Sequence, residues 1–111
     1  MLYYSLQIDT SIDKYDMING ILGVKSNSPH AGWEFGIEQK DDDEYIHFID
    51  YFLSILKDKY EQLEVIGVTR NDISVWMLYE YEGQCNMEFS SEDMYNLGKE
   101  GIVLCVSCWE K

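Results

Sequence analysis

The stretch ISVWMLYEY at residues 73–81 constrains the fold more than any other part of the chain. Its residues are apolar without a break from Val75 to Tyr79, so a strand built from them has two apolar faces. Such a strand belongs between two neighbouring strands. Turn signals flank it at Asn71-Asp72 and at Glu82-Gly83. The sequence therefore predicts a sheet with residues 73–81 at its centre.

Alternating or continuous apolar patterns predict the other strands. They cover residues 2–9, 33–39, 63–69, 84–89 and 102–109. The short turns around residues 73–81 predict that 63–69, 73–81 and 84–89 form an antiparallel meander.

Three helices are expected between these strands. A capping box of Thr10 with Asp13 begins the first helix, and Gly23 ends it. The second is long, because apolar residues recur at helical spacing from Tyr45 to Tyr60. The third has Ser90 as its N-cap, Asp93 at the third helical position and Gly98 as its stop. The order is β-α-β-α-β-β-β-α-β, which predicts a single α+β domain over residues 1–111, with helices on one face of a mostly antiparallel sheet.

The acidic run Asp41-Asp42-Asp43-Glu44 precedes the long helix. Carboxylate clusters bind hard cations, but this run lacks the alternating ligands and central glycine of a calcium loop. Negative charge at a helix N-terminus explains it better. We therefore predict no metal and no cofactor.

The C-x-x-C pair of Cys105 and Cys108 falls on the last predicted strand. Residues three apart on a strand point to opposite faces, with Cα atoms roughly 10 Å apart at ~3.3 Å per residue. A disulfide needs less than about 7 Å. Redox and zinc versions of the motif lie in turns or at helix starts instead. We expect Cys105 and Cys108 to be unbridged, and the sequence assigns no role to them or to Cys85.

His47 is the strongest candidate for catalysis. On a long helix it would lie one turn from Asp43 and near Asp50, as a base beside an orienting carboxylate. No serine or cysteine is presented to it on a recognisable nucleophile motif. The chain also lacks a G-x-G-x-x-G and a phosphate-binding loop sequence. We therefore expect a protein that is not an enzyme, with an enzyme using His47 as an alternative.

The net charge of −13 narrows the classes of partner. Nucleic acid and anionic membranes repel such a chain, so direct binding to either is not expected. No apolar run approaches the ~18–20 residues of a membrane helix. The first residues lack a basic region typical of a secretion signal, and three cysteines fit a reducing compartment. These features predict a cytoplasmic protein.

The distribution of acids suggests what the charge is for. Ten of the 21 acidic residues lie between Glu34 and Glu64, against three lysines and no arginine. Carboxylates on a rigid surface can replace phosphates in the cleft of a basic protein. Nine tyrosines add a residue type that protein interfaces prefer.

In short length, strong acidity, abundant aromatics and absence of a catalytic motif, the whole chain resembles the immunity proteins of bacterial contact-dependent growth inhibition and related polymorphic toxin systems. Residues 62–109, with the FSSEDMYNLG helix, also look like a widespread uncharacterised bacterial family. The resemblance to immunity proteins implies tight binding to a cognate toxin domain, often a nuclease, and occlusion of its active site. An alternative is an acidic nucleic-acid mimic made by a mobile element.

Two surface patches are predicted to contact the partner. The first combines carboxylates with aromatics expected to be exposed: Trp33, Glu34, Glu38, Asp41, Asp42, Asp43, Glu44 and Tyr45. The second is the predicted hairpin tip at Glu80, Tyr81 and Glu82. The sequence does not identify the toxin, the face that binds it or the oligomeric state.

Overall fold

A four-stranded sheet organises the chain. The computed structural model describes residues 1–27 and 32–111. Its strands are β1 (Leu2–Ile8), β2 (Trp33–Gln39), β3 (Ile73–Tyr81) and β4 (Val103–Glu110). Its helices are α1 (Tyr15–Leu22), α2 (Phe48–Leu56), α3 (Tyr60–Val65) and α4 (Ser91–Glu100), with 3-10 turns at Ile12–Lys14 and Arg70–Asp72. The predicted α+β class is confirmed.

The strands are arranged in the order β2-β1-β3-β4. β1 pairs antiparallel with both β2 and β3, and Tyr4 lies opposite Ile37 on one side and Met77 on the other. β4 pairs parallel with β3, with Cys105 opposite Trp76. A parallel neighbour requires a crossover, which α4 provides. The prediction that residues 73–81 are an inner strand is confirmed.

The core lies between one face of this sheet and the helices. Alternate side chains of β1 and β3, such as Tyr4, Leu6 and Val75, are buried on this face. They pack against buried residues of all four helices, among them Phe52 of α2 and Leu97 of α4. The prediction that the helices cover one face of a mostly antiparallel sheet is confirmed.

The caps of the helices agree only in part with those predicted. Ser90 caps α4, and its Oγ accepts a hydrogen bond from Asp93 N at 3.0 Å, as expected. Gly23 ends α1 in the left-handed region. The capping box predicted at Thr10 is wrong, because Ser11 precedes the first turn and makes no side-chain cap bond. Gly98 does not stop α4, which continues to Glu100 and ends at left-handed Gly101.

The long helix predicted from Tyr45 to Tyr60 is two helices. Asp58 has φ of 63°, which interrupts the helical path between α2 and α3. The apolar spacing is unaffected at Ile49, Phe52 and Leu56, which are buried on α2. Because α2 begins only at Phe48, the acidic run 41–44 lies before the helix rather than in its first turn.

Two predicted strands are absent, so the predicted meander is wrong. The predicted strand 63–69 begins inside α3, which covers residues 63–65, and only β1 and β4 flank β3. Residues 84–89 form no strand; Met87 and Phe89 pack on the core from an irregular segment. Apolar residues that fill a core at irregular spacing resemble a short buried strand in sequence.

Candidate protein-binding face

The second face of the sheet carries no helix among the described residues. Strand alternation places fourteen residues on this surface, named here the open face. They are Tyr3, Ser5 and Gln7 of β1; Glu34, Gly36 and Glu38 of β2; Ser74, Trp76, Leu78 and Glu80 of β3; and Val103, Cys105, Ser107 and Trp109 of β4. Most of them are half-buried or exposed rather than covered.

Three aromatic side chains lie on the open face: Trp76, Trp109 and Tyr3. Trp76 Nε1 donates to Ser74 Oγ at 2.8 Å, which holds the indole against its own strand. Trp109 Nε1 donates to Glu80 Oε2 at 3.3 Å, and the residue is 37% exposed. The Tyr3 ring occupies the space that a side chain on Gly36 would need. Glycine at position 36 therefore lets Tyr3 lie flat across β2.

The charge of the open face is entirely negative among its side chains. Glu34, Glu38 and Glu80 are its charged members, and none of the fourteen positions holds Lys, Arg or His. Burial, with a smaller effect of Glu34, raises the pKa of the Tyr3 hydroxyl. The amino group of Met1 lies 3.8 Å from Glu80 Oε1 at the end of the face. A surface of this kind attracts cationic groups.

A pocket of about 420 Å³ opens at one end of the open face. Gln7, Ser74 and Trp76 contribute to its lining from the sheet. Three acidic residues line it as well: Glu34 from the face, Asp9 from the segment after β1, and Asp72 from the 3-10 turn before β3, whose carboxylate accepts from Thr69. The pocket combines negative charge with an indole ring, which are the two features that bind a guanidinium or ammonium group.

Trp33 does not belong to any surface, so the expectation that it is exposed is wrong. Its residue is 0% exposed, and Trp33 Nε1 donates to Asn19 Oδ1 at 2.8 Å within the helix-covered side of the sheet. Trp33 begins β2 opposite Ile8, on the core face. Its neighbour Glu34 points to the open face, as strand alternation requires.

The acidic residues 41–44 form an exposed turn after β2. Lys40 N donates to Asp43 Oδ2 at 3.2 Å, and Gln39 Nε2 donates to Glu44 O at 3.0 Å. The turn is therefore tied to the end of β2 by hydrogen bonds. Tyr45 follows it, 56% exposed, with its ring edge-on to His47 at 5.0 Å between centroids. Asp41, Asp42, Asp43, Glu44 and Tyr45 form an exposed acidic patch at the Glu38 end of the sheet.

The second predicted patch is divided between two surfaces. Glu80 lies on the open face, whereas Tyr81 points to the opposite side, where its ring contacts Tyr79. Glu82 is exposed in the turn after β3. Since residues 84–89 are not a strand, there is no hairpin tip here. Glu80 joins Glu34 and Glu38 on one face instead.

His47 lies at the N-cap position of α2 rather than inside a helix. The expected alignment of His47 with Asp43 along one helix is therefore wrong. A shallow groove beside His47 is lined by acids that include Asp50, Glu88 and Asp93. Among the described residues, Ser90 is the one serine that lines the groove. Its Oγ already accepts a hydrogen bond from Asp93 N as the N-cap of α4. The groove resembles a solvated acidic surface.

Cys105 and Cys108 lie on β4 as predicted, on opposite faces. Cys105 belongs to the open face, and Cys108 points to the other side, opposite Tyr79 in register. All three cysteines are free thiols. Burial raises the pKa of the Cys85 thiol, and the nearby Cys108 thiol raises it further. Over residues 1–27 and 32–111, no group of three His, Cys, Asp or Glu is arranged to hold a metal ion.

Sequence reasoning missed Tyr3, Trp76 and Trp109 as surface residues. The strand 73–81 carries the signal, because its second apolar face, which indicates an inner position, also puts Trp76 on a face of the sheet. In β4, alternation alone puts Trp109 on the face of Trp76. These residues, with the three glutamates, define a small α+β protein with an acidic and aromatic sheet face.

The chain matches no protein-family model, no curated protein and no solved structure. Of the helices in the described part of the chain, none has the length and apolar character needed to span a membrane.

Proposed function

We propose that this chain is a cytoplasmic immunity protein that binds a basic toxin domain, with a nuclease as the favoured class, and covers its active-site cleft. The observation that carries the proposal is the open face. It combines three glutamates, no basic side chain and two partly exposed tryptophans on a rigid sheet. Binding by this face requires no cofactor and no catalytic residue of the chain.

The spacing of the carboxylates suits a cleft lined by several basic residues. Glu34 and Glu38 are four residues apart on β2, which is roughly 13 Å at ~3.3 Å per residue. Glu80 lies two strands away from β2, so the three groups contact separate partner side chains. Negative charge of this extent speeds association with a basic protein. Trp76 and Trp109 then provide apolar contact area that slows dissociation.

The first test is protection in cells. Cells that produce this chain should survive production of the toxin domain encoded beside its gene, whereas cells without it should die. Continued death in the presence of folded chain contradicts the immunity function. Co-purification with a restriction or RNA-guided nuclease instead of a toxin would favour the nucleic-acid mimic.

The second test locates the surface, using that toxin domain. Replacing Glu34, Glu38 and Glu80 by Lys should slow association by about ten-fold or more at low salt. Two control variants carry the same change in charge elsewhere. One has Lys at Asp41, Asp42 and Asp43, and the other at Asp16, Glu61 and Glu64 on the helical side.

The three variants separate local from overall charge. If the open face contacts the toxin, its variant is slowed more than both controls. Equal slowing of all three assigns the effect to net charge, and the largest loss in the Asp41 variant assigns the contact to the acidic turn. Circular dichroism of each variant checks that it folds.

A further inference from the structure

The two edges of the sheet differ in how their backbone groups are covered. At the β2 edge, Asn27 Nδ2 donates to Gly36 O and Asn27 Oδ1 accepts from Gly36 N, both at 2.8 Å. Ser26 Oγ donates to Glu34 O at 2.9 Å in the same way. Side chains of residues 26–27 thus occupy the outward backbone groups of Glu34 and Gly36, which another strand would use. An edge covered in this way does not add a strand.

The β4 edge has no such cover. Lys111 N donates to Tyr81 O at 2.9 Å, so the backbone of Lys111 faces β3. Alternation along β4 then turns the N–H and C=O groups of Leu104, Val106, Cys108 and Glu110 outward. Over residues 1–27 and 32–111, no segment outside the sheet pairs with these backbone groups. They form a free edge beside exposed apolar side chains.

The side chains of β4 are complementary to a second β4. The residues from Val103 to Trp109 carry no charge, in a chain with net charge −13. Val103, Val106 and Trp109 are 58%, 40% and 37% exposed. In an antiparallel pair centred on Val106, each Val106 faces its own copy and each Trp109 faces the partner copy's Val103. Lys111 then lies opposite Gly101, next to Glu100.

The alternating direction of the backbone N–H and C=O groups along β4 favours the same antiparallel register, centred on Val106. Antiparallel strands exchange hydrogen bonds between outward-facing residues. Centring on Val106 pairs Val106 with Val106 and Leu104 with Cys108, all of which face outward. The register that buries the exposed apolar side chains is therefore also one that satisfies the free backbone groups.

We infer that two copies of this chain associate through β4 to form a continuous eight-stranded sheet. A basic partner strand fits this edge less well, because residues 103–109 of β4 carry no charge, and the acids nearest to it on the sheet, Glu80 and Glu110, lie at one end only. The closed β2 edge means that the assembly stops at two copies with two-fold symmetry. The two open faces lie on the same side of the extended sheet. This inference does not depend on the proposed function.

The dimer is expected to be weak and strengthened by salt. One strand edge buries less than the roughly 800 Å² per partner of standard interfaces, which places the dimer among weak associations. Two copies at −13 repel each other, and salt screens that repulsion. Sedimentation of the isolated chain should show a monomer–dimer equilibrium that tightens between about 50 mM and about 500 mM NaCl.

Two variants test the edge. Val106→Pro removes an outward N–H that β3 does not use, so it should weaken the dimer about ten-fold or more while the fold persists. Val106→Thr keeps the N–H and is the matched control. Because Val106→Pro could disturb folding, Ser107→Cys gives a second readout. The proposed register sets the introduced thiol opposite the partner copy's Cys105, with Cα atoms about 4.5 Å apart, within the range of a disulfide.

Diamide, which takes two electrons from two thiols, should therefore cross-link Ser107→Cys into covalent dimers. Ser74→Cys, on the inner strand β3, should not form them. The inference is overturned by a monomer at all concentrations in high salt, by a dimer that Val106→Pro leaves unchanged, by growth beyond two copies, or by cross-linking of Ser74→Cys alone.

Discussion

At the scale of single residues, buried polar atoms stabilise the fold where they have a hydrogen-bond partner. Asn19 is the clearest case. Its Oδ1 accepts from Trp33 Nε1 at 2.8 Å and from Ser26 N at 3.2 Å. It therefore satisfies the indole of a fully buried tryptophan and holds the segment that covers the β2 edge. A buried donor without a partner costs about 1–3 kcal/mol.

Asn19→Ala should accordingly lower the free energy of unfolding by about 2–3 kcal/mol, because it removes the acceptor of two donors. Asn19→Asp retains an acceptor oxygen and should lose less. Urea titration followed by tryptophan fluorescence measures both. A loss below about 0.5 kcal/mol for Asn19→Ala, as for an ordinary surface change, would contradict the assignment.

Tyr4 gives the fold a dependence on alkaline pH. Burial, with a smaller effect of Tyr45, raises the pKa of Tyr4 to about 12 from 10.0. The folded state thus holds its proton after the unfolded state has lost it. The stabilising contribution is complete below pH 10 and is lost as the pH rises towards about 12. The ring stacks on Phe48 with centroids 4.2 Å apart, a contact that phenylalanine can also make.

The Tyr4→Phe variant should therefore lose less stability than the wild type between pH 10 and about 12. Unfolding free energies at several pH values in this window measure the difference. Equal losses for the two chains would show that the Tyr4 hydroxyl does not titrate differently in the two states.

At the scale of elements, the Asn27 side chain supplies the Gly36 half of the cover on one sheet edge, beside Ser26 at Glu34. Both bonds from Asn27 to Gly36 imitate a neighbouring strand. Asn27→Ala should cost about 1–3 kcal/mol by removing them, and Asn27→Asp should cost less because its carboxylate still accepts from Gly36 N. Thermal unfolding ranks the three chains. Hydrogen exchange at Gly36 provides the local readout, and unchanged protection in Asn27→Ala would refute the role.

The strands predicted from the sequence agree with the structure where the apolar pattern is specific to a strand. The strands 2–9, 33–39, 73–81 and 102–109 have strong β patterns, and all four were found. Residues 63–69 and 84–89 contain buried apolar residues in non-strand backbone, which short windows do not distinguish. The break at Asp58 was missed because aspartate adopts the left-handed conformation more readily than most residues but still only occasionally, so its presence alone does not indicate a break.

The candidate site was predictable in the same partial way. Glu34, Glu38 and Glu80 were named from charge, but only the register of β1 with β2 and β3 places them on one face. Trp33 was misplaced because it was grouped with its neighbour Glu34, although strand alternation puts Trp33 on the face of Phe35 and Ile37 and Glu34 on the other. Asp41, Asp42 and Asp43 were assigned to a helix start that lies several residues later.

At the scale of the whole molecule, uncompensated charge dominates. The chain has 21 acidic and eight basic residues, yet within residues 1–27 and 32–111 the one ion pair within 4.0 Å joins the Met1 amino group to Glu80. Acids on a folded surface are closer together than in the unfolded chain. Their mutual repulsion therefore opposes folding, and dissolved salt reduces it by screening.

The melting temperature should consequently rise by several degrees between about 10 mM and about 500 mM NaCl, since the screening length falls from about 30 Å to less than 10 Å. A matched variant separates screening from other effects of salt. Replacing the exposed Asp42, Glu64 and Glu110 by Lys adds two charges at each site and brings the net charge from −13 to −7. This variant should melt higher than the wild type at low salt and gain less from added salt, because there is less repulsion to screen.

Calorimetry at low protein concentration keeps dimer formation out of the comparison. A wild-type melting temperature that does not respond to NaCl, or an equal gain in both chains, would mean that the surface acids are spaced widely enough for their repulsion not to oppose folding.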